Sequence, residues 1–373
     1  MSADTLLARW EALGRPLKRL PRWGAALVLA LLAAAMAWAA VATAPVDRAE
    51  RAVNPSTLAA KPASPAEVAK GDGDLALYAR IAARVAAGEG YYPSAMDEQR
   101  RDNYPTRPFV AVRQPTLAWL QAAIGVDGVR YLEWALVAAC LLALQLRLAP
   151  LVALPERLAA LVLMTLGGAA AAVPLAGLIH ELLAGLLLTL ALLIHRAERW
   201  WPALIAAAAA LAVRELAVPF VLLWLVFALA ARRWREAGAV AALLALFAAG
   251  MGLHSLAVEA ARLPGDPASQ GWDALAGYGL PLMALWRLTG LALLPVSLGA
   301  AIAVLPLLGW LSLGGRLGLF AALWFAGLAT MVALFARPEN FYWVQLALPA
   351  YGIGLAFAPR AILELGRAVA RQT

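Results

Sequence analysis

The chain has 373 residues, 63% of them hydrophobic and only 14% charged. Soluble domains sit near half apolar and a quarter charged, so composition excludes an ordinary soluble enzyme and indicates a polytopic helical membrane protein. The net charge of +8 does not call for a nucleic-acid partner: the arginines stand at the ends of apolar runs, where they face anionic lipid headgroups and set topology.

Residues 1–23 form a basic lead with Arg9, Arg15, Lys18, Arg19 and Arg22, expected in the cytoplasm. Residues 24–44 are the first transmembrane helix. Ala42-Thr43-Ala44 imitates a signal cleavage site, but Pro45 disfavours cleavage, so a retained anchor is expected. Residues 45–130 are the one large polar block and the expected extracytoplasmic loop. It opens with Pro45, Pro55, Pro62 and Pro65, the mark of an extended connector. From Asp74 the pattern turns helical, with Leu75, Tyr78, Ile81, Ala82 and Val85 on one face and Arg80 and Arg84 off it. Gly88 and Gly90 end that helix. Tyr91-Tyr92-Pro93 follows, then a proline-rich stretch from Tyr104 through Arg113-Gln114-Pro115, and a short amphipathic helix over 116–124 on the membrane surface.

Residues 131–358 are the multi-helix transmembrane domain and 359–373 a cytoplasmic tail. The apolar runs are 131–149, 158–195, 202–231, 237–261, 280–313, 317–336 and 341–358. Three stretches, 158–195, 202–231 and 317–358, are basic at both ends, so each should be a hairpin with both ends in the cytoplasm. About ten spans with both termini inside result. A 30-residue helix reaches only ~45 Å, too short for two crossings, so the 202–231 tip should be buried in protein or line a cavity. The tips carry His180-Glu181, Arg214-Glu215, and Arg337-Pro338-Glu339-Asn340 before Phe341-Tyr342-Trp343.

These polar tips and the pair in Gly71-Asp72-Gly73-Asp74 are the candidate chemistry. Each has an ordinary reading: Asp72 or Asp74 as a helix cap, Arg214-Glu215 as a boundary ion pair, Glu181 as a helix-start acid, Arg337 and Tyr342-Trp343 as interface anchors, Arg113 as a solvated charge. Embedded charge costs ~2.5–3.5 kcal/mol per residue on insertion scales, so several such groups near one surface point to a shared cavity. The lone cysteine, Cys140, excludes an internal disulfide, and His180, His195 and His254 are too scattered for a zinc spacing.

The chain resembles the GT-C-fold membrane glycosyltransferases. The likeness rests on Asp72-Gly73-Asp74 in the first extracytoplasmic loop, the following Tyr78, Ile81 and Ala82, the Gly88-Glu89-Gly90-Tyr91-Tyr92 ending and Arg113-Gln114-Pro115-Thr116-Leu117. Also in the pattern are His180-Glu181-Leu182-Leu183-Ala184-Gly185, Arg214-Glu215 and the late Tyr342-Trp343. The resemblance implies an all-α fold and transfer of a sugar from a polyprenyl-phosphate donor to a lipid, glycan or protein acceptor. The enzyme would sit in a bacterial inner (plasma) membrane, among its lipids, with the site facing outward. It implies Asp74 as general base with Asp72 beside it, and Tyr78, Arg113, His180, Glu181, Arg214, Glu215, Arg337 and Tyr342 as substrate-binding residues. Arg113, Arg214 and Arg337 are the phosphate candidates, because guanidinium matches phosphate geometry. Asp72 and Asp74 can hold one divalent cation, magnesium or manganese, but no further ligands accompany them. The acidic pair stands further from the first span than in many family members, and Asp47 lies closer to that position. A flippase or transporter of lipid-linked glycans, and a non-catalytic assembly subunit, are the other classes the sequence allows.

Overall fold

A computed structural model describes residues 5–53, 65–71 and 73–370, and among them it is helical without strands. The basic lead holds α1 (Leu6–Ala12) and is tied into the molecule rather than trailing from it. Leu7 is buried, the Trp10 indole donates to the Gly315 carbonyl at 2.9 Å, and Arg316 pairs with Glu11 at 2.8 Å. The expected tail is likewise packed. It forms α17 (Ala358–Ala370), whose Ala361, Leu365 and Ala368 are buried against α2 (Arg22–Val53) and Leu308. An Arg15–Glu364 ion pair at 3.2 Å brings the two terminal segments to one end of the bundle.

The connector expected from Pro45 is corrected for residues 45–53, because α2 runs through Pro45 to Val53. Proline removes one hydrogen bond and crowds the preceding turn. Pro55 and Pro62 lie outside the described residues, and Pro65 opens the short helix α3 (Pro65–Val68). The helix expected from Asp74 is α4 (Asp74–Ala86), followed by α5 (Tyr91–Arg101). Together they bury Leu77, Ile81, Tyr91, Ala95 and Met96 in a small core of their own, which also takes in Val112, Ala118 and Val258. Arg80 was expected off the apolar face, but it is buried, with its guanidinium held by Glu98 at 2.7 Å and by Asp102.

Next comes α6 (Thr116–Leu148), broken at Gly125, whose φ of 77° only glycine adopts easily. The stretch expected at 116–124 is therefore a distinct segment, and a long apolar arm follows the break. The first expected hairpin is α7 (Leu154–Gly167) and α8 (His180–Ile194); the second is α9 (Trp201–Val213) and α10 (Val218–Ala230). The arms of the second are 13 residues each, about 20 Å at 1.5 Å per residue, which is short of a ~30 Å hydrocarbon layer. A single long helix, α11 (Trp234–Ala260), follows. The apolar run 280–313 is divided into α12 (Gly279–Arg287), α13 (Val296–Ile302) and α14 (Leu305–Leu313). The outgoing arm of the third hairpin is α15 (Gly315–Phe335). Its return arm is not one helix: a 3-10 segment (Pro338–Leu346), α16 (Leu348–Tyr351) and a second 3-10 segment (Gly352–Ala356) lead to α17.

Against the ten spans expected, five stretches among the described residues are long and apolar enough to cross: Arg22–Arg48, Phe109–Leu148, Trp234–Ala260, Val296–Leu313 and Gly315–Phe335. His180–Ile194, Trp201–Val213 and Glu215–Ala230 are apolar but shorter. This is compatible with a membrane protein. At its centre lies α8, buried along nearly its whole length among α6, α9 and the Pro338–Leu346 segment. A Cβ at Gly185 would sit 2.3 Å from the Gln345 carbonyl oxygen, so only glycine lets these two backbones meet. That approach sets Tyr342 beside the head of α8.

Candidate active site

Asp74 is the first residue of α4, preceded by Gly73 at φ 100°. It does not cap the helix with its side chain; the cap position belongs to Gly73, which has none. The carboxylate is held instead by two phenols from distant parts of the chain. Tyr104 donates to Oδ1 at 2.7 Å and Tyr342 to Oδ2 at 3.2 Å. Each carboxylate oxygen offers about two acceptor sites, so each keeps one for another donor. Burial, and then the Asp74 charge, hold the Tyr104 hydroxyl well above its ordinary range, so it stays a proton donor.

From Tyr342 the polar chain continues inward. The Arg113 guanidinium donates through Nη2 to the Tyr342 oxygen at 3.3 Å and through Nε to the Tyr78 oxygen at 2.9 Å. Burial pushes the Tyr78 hydroxyl up to about 12, against the pull of Arg113, so it is neutral at ordinary pH. Arg113 Nη2 stands 3.9 Å from Glu181 Oε1, longer than a hydrogen bond. Its Nη1 donates no hydrogen bond among the described residues. The Tyr91 hydroxyl fixes the Arg113 backbone carbonyl at 2.6 Å, and Gln114 reaches the Leu211 carbonyl at 3.2 Å. These two bonds hold the loop over the tip of the second hairpin.

Below Arg113 the charges are closed on one another. Arg214, 1% exposed, donates to Glu181 at 2.7 Å and pairs with Glu215. Glu181 is buried in the first turn of α8, and His180 beside it stacks edge-on against Tyr78 with ring centres 4.8 Å apart. Five separate segments thus converge: the head of α4, the Tyr104–Arg113 loop, two hairpin tips and the return arm of the third.

Of the residues expected from sequence, Asp74, Tyr78, Arg113, His180, Glu181, Arg214, Glu215 and Tyr342 fall in this one network. Arg337 does not share it, which corrects the expectation that all three arginine-bearing tips join. Its guanidinium donates to the Gly271 carbonyl and lies 3.5 Å from Ser269 Oγ and Glu339. Asp72 lies outside the described residues. Asp47 is buried within α2, where it feels the charge of Arg287. Among the described residues no group of three or more His, Cys, Asp or Glu could hold a metal ion.

Two parts of the site escaped the sequence reading. Tyr104 reads only as a residue before a proline, and nothing in its spacing ties it to Asp74. The loop 262–278 flanks both phenol-bearing segments. Its Asp266 takes Arg100 at 2.7 and 3.1 Å, its Pro267 carbonyl accepts from the Thr106 backbone at 3.0 Å, and Gly271 takes Arg337. The sequence offered one signal, a polar stretch between two long apolar runs. Comparison of the chain with protein-family models, with curated proteins and with solved structures returns no match in any of the three.

Proposed function

We propose that this chain is a GT-C-type membrane glycosyltransferase with Asp74 as its general base. The single observation that carries the reading is the union of Asp74 with Arg113 through Tyr342, a carboxylate and an incompletely occupied guanidinium held on one small network. Glycosyl transfer from a lipid phosphate needs that pair of functions: a base for the acceptor hydroxyl and a cation for the departing phosphate. In the proposed step the acceptor oxygen forms a bond to the anomeric carbon while the bond from that carbon to the phosphate oxygen breaks. The electron pair leaves with the polyprenyl phosphate, and the acceptor proton passes to Asp74. Attack from the face opposite the phosphate inverts the anomeric centre.

The geometry divides the arginines. Arg214 is buried and neutralised by two carboxylates, so its role is to hold Glu181 and Glu215 in place. Arg113 has a free corner and is the phosphate ligand. Arg337 holds the loop 262–278. Glu181, Glu215, His180 and Tyr78 fix the orientation of Arg113 rather than meeting the reacting atoms. The ten-span topology and the outward-facing site belong to the same proposal.

The test is to incubate the purified protein with a panel of polyprenyl-phosphate sugars and candidate acceptors. Consumption of one donor with release of polyprenyl phosphate is expected. Movement of a donor across a vesicle membrane without its consumption would replace the transferase reading with a flippase.

A further inference from the structure

The other end of α8 carries a second cluster of charges, beyond Ile194 and roughly 20 Å from Glu181 at 1.5 Å per residue. A cavity of about 30 Å³ lies there, bounded by Arg147, His195, Glu236 and Arg316 over a floor of Phe220 and Phe320. His195 and Arg316 each keep about a fifth of the side chain exposed (19% and 20%), so the cavity reaches the surface.

The charges around it do not balance. Glu236, 2% exposed, is fully engaged: His195 Nε2 lies 2.7 Å from it, and it accepts from Trp224 at 2.7 Å and Arg233 at 2.8 Å. Arg316 has Glu11, and among the described residues Arg196 donates only to the backbone carbonyls of Leu193 and His195. Arg147 has no carboxylate partner among the described residues; its Nε is buried with no hydrogen-bond partner, and the charges it feels are those of Arg196 and Arg316, of its own sign. Arg147 is half-buried, and leaving its enclosed Nε without a partner is costly. An anion at the mouth of the cavity removes that cost.

We infer that this pocket binds the phosphate of an anionic membrane lipid, with Arg147 and Arg316 on the phosphate oxygens. A guanidinium matches phosphate in shape and charge, and basic pockets between membrane helices recognise lipid headgroups in this way. The inference is independent of the transferase reading, because it concerns the opposite end of the bundle.

The experiment uses the purified full chain in lipid nanodiscs of phosphatidylcholine, with or without phosphatidylglycerol, and in phosphatidylcholine with added inorganic phosphate. Retained lipid is read by native mass spectrometry, and stability by the thermal midpoint. The wild type should retain phosphatidylglycerol and melt higher in its presence. Arg147→Gln should bind it at least about tenfold more weakly, the worth of one charged hydrogen bond. In phosphatidylcholine alone that variant should be as stable as the wild type or more so, because it loses a charge with no carboxylate partner among the described residues. Arg367→Gln, on an exposed part of α17, should bind like the wild type. Equal loss in Arg147→Gln and Arg367→Gln, or no response to phosphatidylglycerol in the wild type, would overturn the inference. A response to inorganic phosphate without one to the lipid would overturn the lipid assignment.

Discussion

Arg214 is where burial has the clearest consequence. It is among the most enclosed large side chains of the protein, and it holds two carboxylates from different hairpins. Arg214→Ala removes the cation and leaves Glu181 and Glu215 without it, which should cost about 3–5 kcal/mol, the usual loss on breaking a buried ion pair from one side. Thermal or denaturant unfolding in detergent measures this, and an unchanged midpoint would contradict the closed-charge description. At this scale the sequence was informative about which residues matter. Charged side chains in apolar runs are expensive, so His180-Glu181 and Arg214-Glu215 stood out by cost alone. It was uninformative about where long side chains turn. Arg337 occupies a tip like Arg214, yet its guanidinium bends to the Gly271 carbonyl, a partner in a loop with no periodic signal. Arg80 shows the same failure: helical spacing puts it off the apolar face, but Glu98 and Asp102 on the neighbouring helix neutralise it and allow its burial.

Among the elements, the loop 262–278 and the head of α8 do the positioning. Asp266 is 4% exposed, and its hydrogen bonds from Arg100 hold its carboxyl down at about 2, against an ordinary 3.8. A depressed pKa contributes stability that is complete above the ordinary value and is lost as pH falls toward the folded one. The loop should therefore stay clamped above about pH 4 and loosen between there and about pH 2. Hydrogen exchange of residues 262–278 across that window checks this. Asp266→Asn should be loose throughout and lose the pH dependence, and a wild-type loop that does not respond would refute the clamp. At the head of α8, Gly185→Val places carbon where the Gln345 carbonyl stands. It should lower stability by about 1–3 kcal/mol, the common cost of overpacking, and should reduce transfer by shifting Tyr342. Retention of wild-type stability and activity would show that the close approach is not needed.

Most elements are legible in the sequence as apolar runs, but how some of them continue or break is not. Residues 45–53 stay helical because α2 tolerates one proline. The run 280–313 splits around the Gly290–Leu293 turn and Pro295, and the arm after Arg337 folds into short 3-10 pieces around Pro338 and Pro349.

For the whole molecule, the two terminal segments share one end and Asp74 stands near the tips of the hairpins. The expected topology puts the termini inside and those tips outside. Cys140 is the chain's one cysteine and is buried, so a Cys140→Ala background suits accessibility labelling. A cysteine replacing Lys70 should react with an impermeant reagent from outside, and one replacing Arg367 only after permeabilisation; the reverse pattern would turn the site inward. The central claim is that Asp74 takes the acceptor proton in sugar transfer. Its most direct test is transfer from a polyprenyl-phosphate sugar by Asp74→Asn and Asp47→Asn at matched yield. Asparagine keeps the shape at the head of α4 and can still accept from a phenol, so Asp74→Asn should fold. Its transfer should fall by about 10²–10⁴-fold, the usual worth of a general base, while Asp47→Asn remains largely active. Full activity in Asp74→Asn, with loss confined to Asp47→Asn, would contradict the account and move the base into α2.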